Sequence, residues 1–167
     1  MKRLLCLLLS MAILLSFPGC GKRSVDAVSF YYSRDPSAYQ YYKTDSVIVS
    51  EARDLTEHRN DMRYILGLYL AGPIQEGLIS VFPSQVRLLS VSGEGTSLKI
   101  ELSDLDNVLS DALFSLGCAC LTLTCLDVSV YTHVTVVSGS RTLTMNADSL
   151  LLYDAVSAGT QETEVTK

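Results

Sequence analysis

Tryptophan is absent from the 167 residues, histidine occurs twice and proline four times. His58 and His133 are therefore the only side chains whose ordinary titration lies near neutral pH, and general bases are scarce. His58 reads as helical and His133 as part of a strand, and each reads as a surface or structural residue. No His-Glu-x-x-His, Gly-x-Ser-x-Gly, Ser-x-x-Lys or P-loop pattern occurs, so the sequence markers of zinc proteases, serine hydrolases and nucleotide-binding loops are missing. Gly93-x-Gly95 lacks a third glycine and lies between two strand-like runs, which makes it a turn and not a dinucleotide loop. Basic residues are few and scattered, 13 against 18 acidic, for a formal net charge of −5. A chain with no Lys/Arg cluster lacks the electrostatic footprint of a nucleic-acid binder. The same scarcity argues against peripheral attachment to anionic lipid.

What the chain has in abundance at its start is apolar. Lys2 and Arg3 precede a run from Leu4 to Phe17, broken only by Ser10 and Ser16. Fourteen residues fall short of the roughly 18 that cross a bilayer as a helix, and a basic start followed by a short apolar core is the pattern of an export signal. Pro18-Gly19-Cys20 then offers a small residue at −1 and a thiol at +1, as a lipoprotein peptidase site requires. Residues 1–19 are expected to be a lipoprotein signal peptide. Cys20 is then the lipid attachment, and its acyl chains make the membrane the first partner. One acyl chain binds only marginally, whereas a diacylglyceryl group supplies two. Removal of Lys2 and Arg3 with the leader takes the formal charge from −5 to −7. Residues 20–26 form the anchor and a short linker, about 20 Å when extended, which keeps the following domain near the membrane.

Five cysteines would suggest a disulfide framework, but Cys6 and Cys20 belong to the leader and the anchor. Cys118, Cys120 and Cys125 remain, on one apolar segment. Residues two apart on a helix diverge by about 200°, and residues seven apart are separated by about 10 Å along the axis, too far for one disulfide. These thiols read as small buried apolar groups, with a metal or an intermolecular disulfide as the alternative; no metal ligand and no cofactor are assigned.

The rest reads as one domain over 27–154 with a disordered tail at 155–167. Ala27–Tyr32 alternates as a strand with Val28, Phe30 and Tyr32 on one face, Ser33–Thr44 reads as a loop, and Val47–Arg53 as a second strand. Thr56 is placed to cap a helix whose buried stripe is Met62, Ile65, Leu66 and Tyr69; Gly72 and Pro73 end it. After a connector at Ile74–Gln85, Val86–Val91 and Leu98–Leu102 form a hairpin. A second helix is expected from Ser103 or Asp104, on the spacing of Leu105, Val108, Leu109, Ala112, Leu113, Leu116, Cys120 and Leu123. Gly117 interrupts it and implies close packing there. Strands follow over Val128–Val137 and Arg141–Met145, and Leu150–Tyr153 packs once more. The order of elements points to an α+β fold: a small, mostly antiparallel sheet with two helices on one face.

Tyr39, Tyr41 and Tyr42 in the first loop form the candidate interaction surface, because tyrosine combines a large contact area with a polar tip. Arg34, Asp35, Arg53 and Asp54 are expected as exposed ion pairs around it. No catalytic residue is assigned.

The middle of the chain resembles the GerMN domain of sporulation and spore-germination proteins. Leu70-Ala71-Gly72-Pro73 is similar to that family's helix-ending signature, and Gly77-Leu78-Ile79-Ser80-Val81-Phe82-Pro83 to the segment after it. Val91–Ser103 resembles its hairpin, Leu121–Thr124 the end of its second helix, and Ser29-Phe30-Tyr31-Tyr32 its opening strand. Where the family continues with a glycine-threonine turn, this chain has Ser84-Gln85. The resemblance implies a fold like the ring-building motifs and a non-catalytic lipoprotein that assembles with envelope or sporulation proteins or as a homo-oligomer. A ligand-binding lipoprotein for cell-wall glycan, peptide or lipid is the alternative, and a hydrolase with a site formed only in space is the third reading.

Overall fold

The computed structural model describes residues 27–39, 46–55 and 57–150. The leader 1–19, Cys20, the linker, Thr56, 151–154 and the tail 155–167 lie outside the described residues. Within them the fold is α+β. Strands β1 (Ala27–Arg34), β2 (Ile48–Asp54) and β3 (Leu78–Ile79) form one sheet in the order β2-β1-β3. Strands β4 (Leu88–Glu94), β5 (Ser97–Leu102), β6 (His133–Ser138) and β7 (Arg141–Asn146) form a second, in chain order. All pairings are antiparallel except β5–β6, which is parallel. The strands thus divide between two sheets where a single small one was expected. Helices α1 (Met62–Leu70) and α2 (Asp111–Val128) complete the fold.

Helix α1 packs on the first sheet through its predicted stripe, with Ile65, Leu66 and Tyr69 buried. The Tyr69 ring stacks on Tyr32 at 4.9 Å and meets Phe30 edge-on at 6.4 Å. The helix starts later than Thr56 would place it. Asp61 caps it, its carboxylate accepting from the Tyr64 N–H at 3.0 Å, while Glu57 and His58 lie in the preceding turn. Gly72 stops it in the left-handed region, at φ 98°, as its lack of a Cβ permits.

Helix α2 packs against β1 of the first sheet and β6 and β7 of the second, and its middle stretch is buried nearly all round. Gly117 to Thr122, Thr124 and Cys125 are all inaccessible, the arrangement expected of a helix that is apolar all round. By length and hydropathy it is apolar enough to cross a membrane, yet it is the core of this domain. It begins at Asp111 and not at 103 or 104, because Ser110 caps it; the earlier residues form turns that still bury Leu105. Its C-terminal half runs antiparallel to β1 and closes that strand's free edge. The Thr124 hydroxyl accepts the Tyr31 N–H at 2.9 Å, and the Asp127 carboxylate accepts the Ser29 N–H at 2.7 Å. Two side chains thus stand in for a neighbouring strand. Covering an edge with a helix is one of the ways proteins blunt a sheet's tendency to add strands.

At Gly117 a Cβ would come within 2.9 Å of the Phe82 ring, which bears out the close packing read from the sequence. Of the two hairpin glycines only Gly95 has positive φ, 57°; at Gly93 the Tyr131 ring packs over the backbone, its hydroxyl 2.0 Å from where a Cβ would be. With Glu94 paired to Ser97, Gly95-Thr96 follows the glycine-first pattern of a type II′ turn. The segment from Val128 to Thr132, expected as strand, instead ends α2 and turns into β6 at His133. Helical backbone at 147–150 follows β7.

Candidate functional site

The most concentrated polar chemistry in the domain is buried. In an antiparallel pair, residues opposite each other share a face, so Glu51, opposite Phe30, and Arg53, opposite Val28, point with those apolar residues toward α1. Their side chains are only 5 % and 9 % exposed. Arg53 Nε donates to Glu51 Oε1 at 2.7 Å and a second guanidinium nitrogen joins it. Arg53 also donates to the carbonyls of Leu68 (3.2 Å) and Gly72 (2.6 Å) and to the Tyr32 hydroxyl (3.3 Å), and its guanidinium lies 4.6 Å over the Phe30 ring. Glu51 accepts the N–H groups of Ile74 (3.0 Å) and Gln75 (2.8 Å). Burial pushes the Tyr32 phenol well above its usual range, partly offset by the Arg53 charge, so the hydroxyl stays protonated and donates to the Tyr69 carbonyl at 3.0 Å.

This arrangement is a clamp. One side chain takes the orphan carbonyls at the end of α1 and the other takes the amides just past Pro73, so the Leu70-Ala71-Gly72-Pro73 turn is fixed from both sides. Glu51 and Arg53 are committed to these partners. The expectation of exposed ion pairs is corrected at Arg53, which is buried with Glu51; Asp35 accepts from the Ser37 N–H and hydroxyl, both at 2.8 Å. The Ser37 N–H, followed by its hydroxyl, holds the Asp35 carboxyl below its usual range.

A second cluster fixes the β6–β7 turn. Asp106 accepts the Ser140 N–H at 2.8 Å and Arg141 Nε at 3.2 Å, and Arg141 also donates to the carbonyls of Leu105 and Leu109. The Ser140 N–H, more than Arg141, lowers the Asp106 carboxyl below its ordinary range. A Cβ at Gly139 would fall 2.3 Å from an Asp104 oxygen.

Neither histidine shares a hydrogen bond with these clusters among the described contacts. His58 is exposed, stacks on Tyr64 at 4.0 Å and lines a shallow open groove with Asp54, Leu55 and Glu57. The His133 ring shares a 2.9 Å hydrogen bond with the Thr132 hydroxyl on the exposed face. Cys118, Cys120 and Cys125 are free thiols, fully buried, and burial raises each to about 12. They are inert small residues of the core. Among the described residues no group of three His, Cys, Asp or Glu side chains is placed to hold a metal.

Of the tyrosines singled out, Tyr39 ends a 3-10 turn over Pro36–Tyr39, and Tyr41 and Tyr42 lie outside the described residues, as does Cys20. The residues between Arg34 and Val47, which carry these tyrosines, join β1 to β2 at the end of β1 farther from Ala27. Exposed aliphatic side chains occur at the same end: Val47, whose carbonyl accepts the Arg34 N–H, is 48 % exposed, and Ile79, paired to Ser33, is 37 % exposed. The sequence reading missed the Glu51–Arg53 clamp. Its signal was that Glu51 and Arg53, two apart on a segment read as a strand, share one face.

No family model matches the chain, and no curated protein matches it. Among solved structures, a 2.5 Å crystal structure of a Clostridium perfringens protein provisionally described as a lipoprotein is similar at 14 % identity, with a TM-score of 0.46, over 73 % of this chain and 86 % of the other.

Proposed function

We propose that this chain is an exported lipoprotein, held at the extracytoplasmic face of the membrane by acyl chains on Cys20, whose single domain serves as a non-catalytic assembly or interaction module. The observation that carries the reading is the direction of β1. Its first residue, Ala27, follows the short linker from Cys20, and its last, Arg34, lies about 25 Å away at the spacing of an extended strand. A tether at one end therefore presents the opposite end, with Val47, Ile79 and the tyrosine-bearing connection, away from the membrane. The clamp on the α1 turn and the helix-sealed edge of β1 support a rigid scaffold for such a surface. The committed Glu51–Arg53 pair, the His58–Tyr64 stack and the inert thiols support a role in binding. An envelope or sporulation protein is the partner that the GerMN resemblance favours.

The test is expression of the full chain in a Gram-positive host with labelled fatty acid. Label in the protein and its recovery with membranes, both lost in Cys20→Ala, is the expected result. An unlabelled chain found in the cytosol removes the tethered reading. For the module, Tyr39→Ala and Tyr41→Ala together should abolish recovery of crosslinked envelope partners while leaving the domain folded; unchanged recovery removes that surface.

A further inference from the structure

The end of the domain nearest Ala27 carries a polar groove that neither the clamp nor the core uses. It consists of two hollows, of about 380 Å³ and about 650 Å³, that share Glu57 and His58. Asp54, opposite Ala27 in the β1–β2 ladder, lines the first with Leu55 and Tyr64. Arg59, Asn60, Arg63 and Val91 line the second. The aromatic wall is held in place by the backbone. His58 donates its N–H to the Leu55 carbonyl at 2.9 Å, and its own carbonyl accepts the Asp61 N–H at 3.0 Å. Leu55 belongs to the core and Asp61 caps α1, so the turn is anchored at both ends. The His58 and Tyr64 rings lie 4.0 Å apart at 32°, and Tyr64 is 40 % exposed. An exposed ring pair fixed in this way is a preorganised stacking surface. Donors and acceptors are both available beside it. Among the described residues the Glu57 carboxylate and the Asn60 amide have no protein partner, and Arg63 reaches only the Leu89 carbonyl, at 3.4 Å. Charge is nearly balanced, with Asp54, Glu57 and Asp61 against Arg59 and Arg63.

We propose that this groove binds a sugar ring, the aromatic pair taking its C–H face and Glu57, Asn60 and Arg63 its hydroxyls. The lining selects this chemistry over the alternatives. A balanced set of charges gives no field to concentrate a polyanion or a polycation, and the Asp61 carboxylate already fills the anion position at the start of α1. A peptide needs well-packed pockets for its anchors, whereas the apolar lining here is Leu55, Met62 and Val91, with Leu55 itself buried. A sugar needs one flat apolar contact and several hydrogen bonds of either polarity, and the groove offers both. Its source follows from the tethered reading, on which this part of the inference rests. Ala27 then lies within a linker's length of the membrane, about 20 Å. The sugar is therefore that of a glycolipid headgroup or of wall glycan lying against the membrane. The site is separate from the surface at the far end of β1.

Nuclear magnetic resonance on the full chain in phosphatidylcholine nanodiscs tests this. The probes, added separately, are a tetramer of N-acetylglucosamine in solution and diglucosyl diacylglycerol in the disc. A bound sugar should shift the His58 and Tyr64 ring protons and the Asn60 side-chain amide, and its own C–H signals should move upfield under the rings. Tyr64→Ala should weaken binding by about ten-fold or more, and Tyr64→Phe should keep it. Glu57→Ala should weaken it by roughly three-fold. Glu57, Asn60 and Tyr64 are all exposed, so these variants keep the fold, which the remaining amide signals report, and Asn60→Ala serves as a further variant. A response to the tetramer alone names wall glycan as the source, and one to the glycolipid alone names the headgroup; each supports the groove. No response to either sugar overturns the proposal, as does binding that Tyr64→Ala and Glu57→Ala leave unchanged. Pyrophosphate or spermine shifting the same signals as far as the sugar also overturns it, because the groove would then read charge. The mass of the chain in the same sample reports acylation of Cys20. Sugar binding by an unacylated chain removes the tether and keeps the groove.

Discussion

Replacing Arg53 with methionine should be among the most damaging single changes in the domain, and the structure says by how much. The side chain is 9 % exposed and serves four acceptors: Glu51, the carbonyls of Leu68 and Gly72, and the Tyr32 hydroxyl. Methionine keeps much of the volume and the contact with Phe30, so the packing loss is small. What remains is a carboxylate at Glu51, 5 % exposed, with only the Ile74 and Gln75 amides to balance it. Breaking one side of a buried ion pair costs about 3–5 kcal/mol, a large part of a typical stability of about 5–15 kcal/mol. With a urea dependence of about 2 kcal/mol per molar, the unfolding midpoint should fall by roughly 2 M, read by circular dichroism. Arg53→Lys should cost about half as much, since one ammonium keeps the charge but cannot fork to four partners. Adding Glu51→Gln to Arg53→Met should recover stability, because the uncompensated charge disappears. A loss below about 1 kcal/mol for Arg53→Met, or a double variant as poor as the two singles summed, would refute the clamp.

Three further outcomes follow from the packing and the charges. Gly117→Ala gains about 1 kcal/mol of helix propensity but sets a Cβ 2.9 Å from Phe82; the net should be a loss of about 1–2 kcal/mol in thermal melts, recovered by Phe82→Leu. Asp106 has its folded value depressed, first by the Ser140 N–H, so its contribution is complete above the unfolded carboxylate value near 3.9 and is lost as pH falls through the lower folded value. Asp106→Asn should remove that part of the acid sensitivity in pH-dependent melts, and an unchanged profile would show that the contact does not contribute. Cys118, Cys120 and Cys125 should resist a thiol reagent at pH 8 in the native state and react in denaturant, since burial lifts each thiol to about 12; rapid native labelling would refute their burial.

The legible parts of this chain were those where one residue type answers one local demand. Val28, Phe30 and Tyr32 alternate and are buried, Gly72 ends α1 at positive φ, and Gly117 marks a close approach to Phe82. The misread boundaries have a common cause. Thr56 and Asp61, or Asp104 and Ser110, are equally good caps by type, and what selects Asp61 and Ser110 is where the tertiary fold allows the first helical turn to start. The division into two sheets was hidden for a related reason. Strand periodicity reports which face is buried but not which strand lies alongside, and the parallel β5–β6 pairing joins segments separated by all of α2. The clamp was missed because charge at Arg53 was taken as a sign of exposure, whereas its register opposite Val28 places it on the buried face. Of the candidate interaction surface only Tyr39 falls within the described residues, so that part of the reading stands on sequence.

The closure of β1 by α2 ties these features together. Thr124 and Asp127 are poor choices on local grounds: threonine loses rotamer freedom in a helix, and an aspartate in the last turn opposes the helix dipole by about 0.3–1 kcal/mol. Both are explained by the strand they serve, since each satisfies a β1 amide that would otherwise be without a partner, a deficit of about 1–3 kcal/mol when buried. Ser29 is 7 % exposed, so the Asp127 contact outweighs its dipole cost. A helix placed this way occupies the position of a fourth strand and ends growth of the sheet on that side.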